Sequence, residues 1–128
     1  MVSDILRMKK LGFNMLRKHC KIEPLRFYYH CDRLGMILWQ DMVNGGDCYP
    51  MWFLCYIPTL FPRLAAKMRP FHRLTGRKSR AGRAQWEKEC GETIRHLFNV
   101  PSIGVWVLFN EGWGQFDSVA MTDYVRSI

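Results

Sequence analysis

Residues 102–111 read SIGVWVLFNE, an apolar run that ends in an asparagine and a carboxylic acid. Polar and apolar side chains do not alternate along the run, so neither face of an extended chain would be polar. This pattern is typical of a parallel strand covered by helices, because strands with one solvated face alternate instead. The stretch therefore predicts a buried parallel strand with Asn110 and Glu111 at its carboxyl end.

Two earlier runs have the same layout. FNMLRKH (13–19) carries Arg17 and His19 near its end, and MILWQD (36–41) ends in Gln40–Asp41. Helical spacing flanks the three predicted strands, over residues 3–12, 23–35, 85–99 and 117–128. This order predicts an α/β fold with parallel strands, either an open doubly wound sheet or part of a (β/α)8 TIM barrel.

The polar residues at the strand ends favour the barrel. Barrel enzymes gather functional side chains at the carboxyl ends of successive strands, and no Gly-rich phosphate loop follows any strand here. Three strands cannot close an eight-stranded barrel, so we expect residues 1–128 to be part of a catalytic domain, with 42–85 as a long insertion. Trp39, Trp86 and Trp106 lie inside apolar stretches and are expected in the core.

The composition narrows the class of protein. Of the 128 residues, 48% are hydrophobic, which is ordinary for a globular domain. No apolar run reaches the ~20 residues that span a bilayer, and the N-terminus lacks a signal-peptide layout. We therefore expect a cytoplasmic protein with no membrane partner. The five cysteines form no C-x-x-C, so free thiols are expected and neither a metal site nor a cofactor is indicated.

The net charge of +8 is concentrated in residues 63–83, which carry eight Lys or Arg side chains and no acid. Such a stretch could contact phosphates, so a basic α/β nucleic-acid-binding domain is an alternative function. The stretch lacks interleaved aromatic residues and matches no nucleic-acid motif, which favours a solvated insertion with no nucleic-acid partner. A non-catalytic scaffold domain is the third possibility.

The Asn110–Glu111 pair has the groups that acid–base chemistry needs. A carboxyl group at the mouth of an apolar strand, beside Trp113, is partly desolvated, and desolvation raises a carboxyl pKa toward neutrality. Such an acid can protonate a leaving group and later take a proton back. Asn110 offers both a donor and an acceptor to a hydroxyl group. Trp113 either stacks on the apolar face of a sugar or packs as a wedge in the loop. On composition alone, a solvated loop glutamate is the commoner case.

Three segments carry a resemblance to a known family. GVWVLFNEGWGQFD (104–117) resembles the acid/base motif of glycoside hydrolase family 2, the family of β-galactosidases, β-glucuronidases and β-mannosidases. MKKLGFNMLRKH (8–19) is similar to the family's helix-then-strand segment with its Asn-x-x-Arg core. PLRFYYHCDRLGMILWQDM (24–42) resembles the stretch whose CDxLG turn leads into the third barrel strand. The matches occur in order and cover residues 3–41 and 86–118.

The resemblance implies strands 2–4 of the barrel of a retaining glycosidase that hydrolyses O-glycosidic bonds of β-glycosides. In it, Glu111 is the general acid/base. Asn110 binds the 2-hydroxyl of the sugar, through a contact that strengthens in the transition state. Arg17 is an electrostatic and orienting partner under the site, and Asp41 falls where the family places an acidic residue at the end of the third strand.

Two departures from the family pattern affect the site. The family's common R-x-x-H after its second strand is Arg17-Lys18-His19 here, so the histidine comes one residue early. His19 is therefore a substrate-binding candidate at a shifted position. Gln40 stands where many members have Asp, and Asp41 stands where they have Glu, so no metal ligand is assigned to Asp41.

A retaining mechanism also needs a second carboxylate, ~5–5.5 Å from the acid, as its nucleophile. The resemblance implies that this residue follows the seventh barrel strand, beyond Ile128. It also implies that the rest of the barrel and the family's β-sandwich domains are missing from this chain. The chain would then carry half of the catalytic pair for a carbohydrate substrate, and we expect it to be inactive alone.

Overall fold

The computed structural model describes residues 1–48, 56–57, 59–64, 76–110 and 114–128. The elements are α1 Val2–Lys10, β1 Met15–Lys18, α2 Leu25–Leu34, β2 Ile37–Asp41, α3 Arg80–Leu97, β3 Ile103–Val107 and α4 Ser118–Arg126. They form two compact units. Unit 1 comprises Met1–Val43 and Arg95–Leu108, and unit 2 comprises Asn44–Ile94 and Phe109–Ile128.

The described strands form one parallel sheet in the order β1-β2-β3. Arg17 on β1 lies opposite Trp39 on β2, and Asp41 at the end of β2 lies opposite Val107 on β3. A register shift interrupts the second pairing between Leu38 and Trp39. The predicted α/β fold with parallel strands is confirmed.

One face of this sheet is packed by helices. It buries Leu38 against a core from α1, α2, the end of α3 and the residue before β2. The members of this core are Ile5, Phe27, Tyr28, Cys31, Leu97 and Met36. The opposite face exposes between 37% and 48% of Met15, Ile37, Trp39 and Val105. The expectation that Trp39 is a core residue is therefore wrong. Successive side chains of a strand point to opposite faces, so the burial of Leu38 directs Trp39 outward.

Local signals set several helix ends. Gly35 ends α2 in the left-handed conformation, at φ 63°, which glycine adopts without a Cβ clash. Pro24 is the N-cap of α2 and not part of its first turn. Helix α1 begins at Val2. Asp4 lies in its first turn, where a carboxylate interacts favourably with the helix dipole.

Other boundaries differ from the sequence prediction. Helix α3 begins at Arg80, so the predicted insertion 42–85 extends into a helix. The Ser79 hydroxyl accepts a hydrogen bond from the Gly82 N–H at 3.0 Å, a capping contact that allows the earlier start. Residues 56–57, 59–60 and 62–64, inside the predicted insertion, are helical.

Unit 2 has its own apolar interior. Its buried side chains include Trp86, as expected, together with Cys90, Ile94, Phe116 and Met121. Across the ranges the structure describes, no helix is both long and apolar enough to cross a membrane.

We expect Leu38→Ala to lower the free energy of unfolding by about 2–5 kcal/mol, because truncation leaves a cavity on the packed face of the sheet. Ile37→Ala is the matched change at the preceding position, and it should cost far less because Ile37 is 48% exposed. Urea denaturation followed by circular dichroism measures both losses. Equal losses would contradict the assignment of the two faces.

Burial raises the pKa of the Cys31 and Cys90 thiols to about 11. The thiolate is the reactive form, so at pH 8 both should resist iodoacetamide while the exposed Cys48 reacts. In the unfolded chain a thiol ionises near pH ~8.5. The folded state therefore loses stability as the pH rises from ~8.5 toward 11. Mass spectrometry of alkylated peptides over this pH range tests the order of labelling, and early modification of Cys90 would refute it.

Candidate active site

The carboxyl end of the sheet in unit 1 holds a buried carboxylate. Asp41 is the last residue of β2 and is 1% exposed. Alternate residues of a strand point to the same face of the sheet. The Asp41 side chain is therefore on the same face as Ile37 and Trp39, opposite the helices. A carboxylate removed from water in this way requires charged and hydrogen-bonding partners, and β1 and the turn after it supply them.

Arg17 is the main partner of Asp41. Its Nε donates to Asp41 Oδ1 at 3.0 Å and its Nη2 donates to Oδ2 at 2.8 Å. Two-point pairing of this kind fixes the orientation of both groups. His19 Nδ1 lies 3.2 Å from Asp41 Oδ2. The structure thus brings together three of the predicted site residues, Arg17, His19 and Asp41.

The turn after β1 contributes a contact that sequence reasoning missed. Cys20 has a φ of 50°, a left-handed conformation that non-glycine residues seldom adopt. In this conformation its backbone N–H donates to Asp41 Oδ2 at 3.3 Å, and its Sγ lies 4.0 Å from His19 Nε2. Such backbone conformations cost about 1–3 kcal/mol and concentrate at functional sites. No local sequence signal marks this position.

Among the described residues, His19, Cys20 and Asp41 are the group that could hold a metal ion, since their ligand atoms lie within 4.8 Å of one another. Nitrogen, sulfur and oxygen donors would suit Zn²⁺. However, both oxygens of Asp41 already accept hydrogen bonds from Arg17, and a dication would face this fixed positive charge. The arrangement favours an arginine–carboxylate site over a metal centre.

Gln40 has a structural role. It is fully buried, and its Oε1 accepts from the Tyr28 hydroxyl at 2.8 Å. Its Nε2 donates to the carbonyls of Lys21 and Asp41 at 2.9 and 2.8 Å. Burial raises the pKa of Tyr28, so its hydroxyl remains a donor. This network ties the β1–α2 connection to the end of β2 and supports the Asp41 cluster from the packed side.

Asn110 lies in unit 2, three residues after the end of β3, and is half-buried. Glu111 and Trp113 lie outside the described residues, so their roles stay predictions. Of the six predicted site residues, the structure therefore places four, three of them in unit 1 and one in unit 2.

Sequence reasoning also missed Arg77, which it assigned to a solvated insertion. That assignment is wrong for Arg77, because the residue is 3% exposed. Its Nε donates to the carbonyl of Gly114 at 2.6 Å, across 37 positions of sequence. No local pattern separates Arg77 from its basic neighbours, since its partners lie far along the chain.

No family model matches the chain. It is similar to curated proteins named beta-mannosidase B, at 31% identity over 96 residues with that of Aspergillus clavatus and 29% over 105 residues with that of Thermothelomyces thermophilus. The protein of Aspergillus flavus is 30% identical over 99 residues. These matches cover 75%, 81% and 77% of this chain, and 8%, 9% and 8% of the relatives. The chain thus spans less than a tenth of the length of these relatives. The similarity supports a relationship to glycoside hydrolases.

A double-mutant cycle on Arg17→Gln and Asp41→Asn should give a coupling free energy of about 1–2 kcal/mol. Hydrogen bonds to charged groups contribute ~1.5–3 kcal/mol, and solvent screening reduces this where a partner is exposed, as Arg17 is at 41%. Urea denaturation measures the four stabilities. The control cycle is the exposed Lys88–Glu92 pair, at 3.8 Å, which should give at most ~0.5 kcal/mol. Equal couplings in the two cycles would refute the expected strength.

Proposed function

We propose that the chain forms strands 2–4 of the (β/α)8 catalytic barrel of a retaining glycoside hydrolase of the family-2 type. Glu111 is its general acid/base, and its substrates are β-glycosides, with β-mannosides as the first candidate. The observation that carries the proposal is the pair formed by the partly exposed Arg17 and the buried Asp41 at the carboxyl end of a parallel sheet. The relatives named beta-mannosidase B support the substrate class.

The layering of unit 1 fits a barrel segment. Connections between parallel strands are right-handed, so strands laid side by side in chain order put their helices on one face. One half of a doubly wound sheet has the same layering, so the choice of a barrel rests on the polar residues at the strand ends and on the relatives. The order here is β1-β2-β3, with the helical core on one face. The exposed face around Trp39 and Val105 would then be the inner surface of the barrel.

The Arg17–Asp41 pair suits a substrate site in this arrangement. Arg17 faces the same side of the sheet as Asp41, at the end where barrel enzymes bind substrates. Its guanidinium is held at two points yet is 41% exposed, so it can orient a polar group with little further loss of side-chain entropy. His19 is 60% exposed and lies beside Asp41, which makes it a second polar group for a sugar hydroxyl.

In the proposed reaction, Glu111 protonates the glycosidic oxygen while a second carboxylate attacks the anomeric carbon and forms a glycosyl-enzyme intermediate. Glu111 then removes a proton from the water that hydrolyses this intermediate. Asn110 would bond the 2-hydroxyl, and Trp113 would stack on the sugar ring. We place the nucleophile, the other strands and the β-sandwich domains outside these 128 residues, so the chain alone should be inactive.

Glu111→Gln tests the assignment in the full-length protein that carries this sequence. We expect kcat/KM for aryl β-mannosides with poor leaving groups to fall by at least ~100-fold, because general acid catalysis contributes ~100–10,000-fold. Very good leaving groups need little proton transfer, so their glycosylation step should be largely spared. Steady-state kinetics with both kinds of substrate measures this, with aryl β-galactosides and β-glucuronides as comparisons.

The matched control is Glu92→Gln, which removes an exposed carboxylate from α3 and should leave turnover unchanged. Full turnover in Glu111→Gln would rule out its role as the acid.

A further inference from the structure

The segment after β3 is held on both sides of the Asn110–Glu111 pair by residues of unit 2. On the near side, Phe109 stacks on Trp86, with ring centroids 4.7 Å apart and planes 15° from parallel. On the far side, the Gly114 carbonyl accepts the 2.6 Å hydrogen bond from Arg77. Both anchors come from the part of the chain between β2 and β3.

Arg77 connects the two anchors through an aromatic cluster. Its guanidinium carbon lies 5.7 Å from the ring centroid of Trp86 and 5.2 Å from that of Phe116. Phe116 in turn makes edge-to-face contacts with Trp86 and Phe109, at centroid distances of 5.4 and 5.5 Å. The Arg77 guanidinium therefore contacts the Trp86 ring, the Phe116 ring and the Gly114 carbonyl, and the Trp86 ring in turn stacks on Phe109.

The burial of the Arg77 guanidinium strengthens its contacts with the aromatic rings and with the Gly114 carbonyl. A charged group removed from water is unfavourable unless it is paired or hydrogen-bonded. Aromatic faces attract cations, by about 2 kcal/mol or more when the cation is desolvated. Arg77 is 3% exposed, so its contacts with the rings and with the carbonyl are made away from water. The segment that supplies the carbonyl is fixed by the same contacts.

Glycines allow the close approach of the backbones. Gly114 has a φ of 66°, and a Cβ there would lie 3.1 Å from Asn44 Oδ1 and 3.4 Å from Arg77 Nε. On the other side, a Cβ at Gly46 would lie 2.8 Å from the carbonyl oxygen of Gly76, the residue before Arg77. A side chain at Gly46 would therefore clash with the backbone of Gly76, and one at Gly114 would be both tightly packed and strained by the positive φ.

We propose that Arg77 is a positioning residue, which holds Phe109 through Trp86 and holds Gly114 and Phe116 directly. Because Glu111 lies between these residues in the sequence, this hold would set the position of the acid. The catalytic part of this inference rests on the proposed function. Arg77 acts through the Gly114 backbone and the aromatic cluster and does not touch the reacting atoms. Displacement of a catalytic group by ~1 Å can lower the rate ~100-fold, so this hold would matter for turnover.

The test compares Arg77→Gln with Arg80→Gln in the full-length protein. Both changes remove one positive charge from the same region, but Arg80 is exposed. For Arg77→Gln we expect kcat/KM to fall about 10–100-fold with poor leaving groups and little with very good ones, because only the former depend on the acid. Arg77→Lys should recover part of the loss, since lysine keeps the charge but not the planar fork. Arg80→Gln should match the unmodified protein.

Hydrogen exchange supplies a readout that does not depend on activity. The amides of residues 114–116 should exchange faster in Arg77→Gln than in Arg80→Gln, because their anchor is lost. Equal exchange and equal kinetics in the two variants would overturn the proposal. An equal loss for all substrates would do so as well, because it indicates a smaller folded fraction and not a displaced acid.

Glu111→Gln separates the two proposals. If it keeps full turnover, the proposed function fails and takes the catalytic part of this inference with it. If it is inactive while Arg77→Gln behaves like Arg80→Gln, only the role of Arg77 fails. Should Arg77→Gln not fold, Gly114→Ala disturbs the same contact from the other side and should show the same dependence on the leaving group.

Discussion

The burial of the Asp41 carboxylate is the constraint that organises the carboxyl end of unit 1. A carboxylate that is 1% exposed is stable there only if other groups replace the water it has lost. Arg17 supplies the charge from the neighbouring strand, and the turn at His19–Cys20 supplies two further contacts. The left-handed Cys20 fits this account, because its conformation turns a backbone N–H toward the carboxylate.

Two arginines of this chain have different surroundings. Arg17 pairs with a carboxylate and remains 41% exposed, which supports the substrate-binding role proposed for it. Arg77 contacts aromatic rings and a backbone carbonyl and is 3% exposed, which supports the positioning role proposed for it. Net charge alone cannot distinguish these roles, because each depends on which groups surround the cation.

The arrangement of the sheet and the comparisons with known proteins independently support the proposal that the chain is a barrel segment of a glycoside hydrolase. Parallel strands in chain order with helices on one face are the arrangement expected of a barrel segment. The similarity to proteins named beta-mannosidase B concerns the sequence, and the arrangement of unit 1 concerns the geometry. Gln40 illustrates the value of the geometry, since its neighbour Asp41 faces the site while Gln40 faces the helical core.

Much of the fold was readable from the sequence. Apolar runs without alternation indicated parallel strands, and the polar residues at the strand ends indicated Arg17, His19 and Asp41. These signals are local, because strand burial and strand ends each involve a few adjacent residues. The exposure of Trp39, the Tyr28–Gln40 network, the Cys20 turn and the burial of Arg77 were decided only by the tertiary structure. Each depends on a partner brought close by folding, and sequence patterns do not contain distances between residues that lie far apart along the chain.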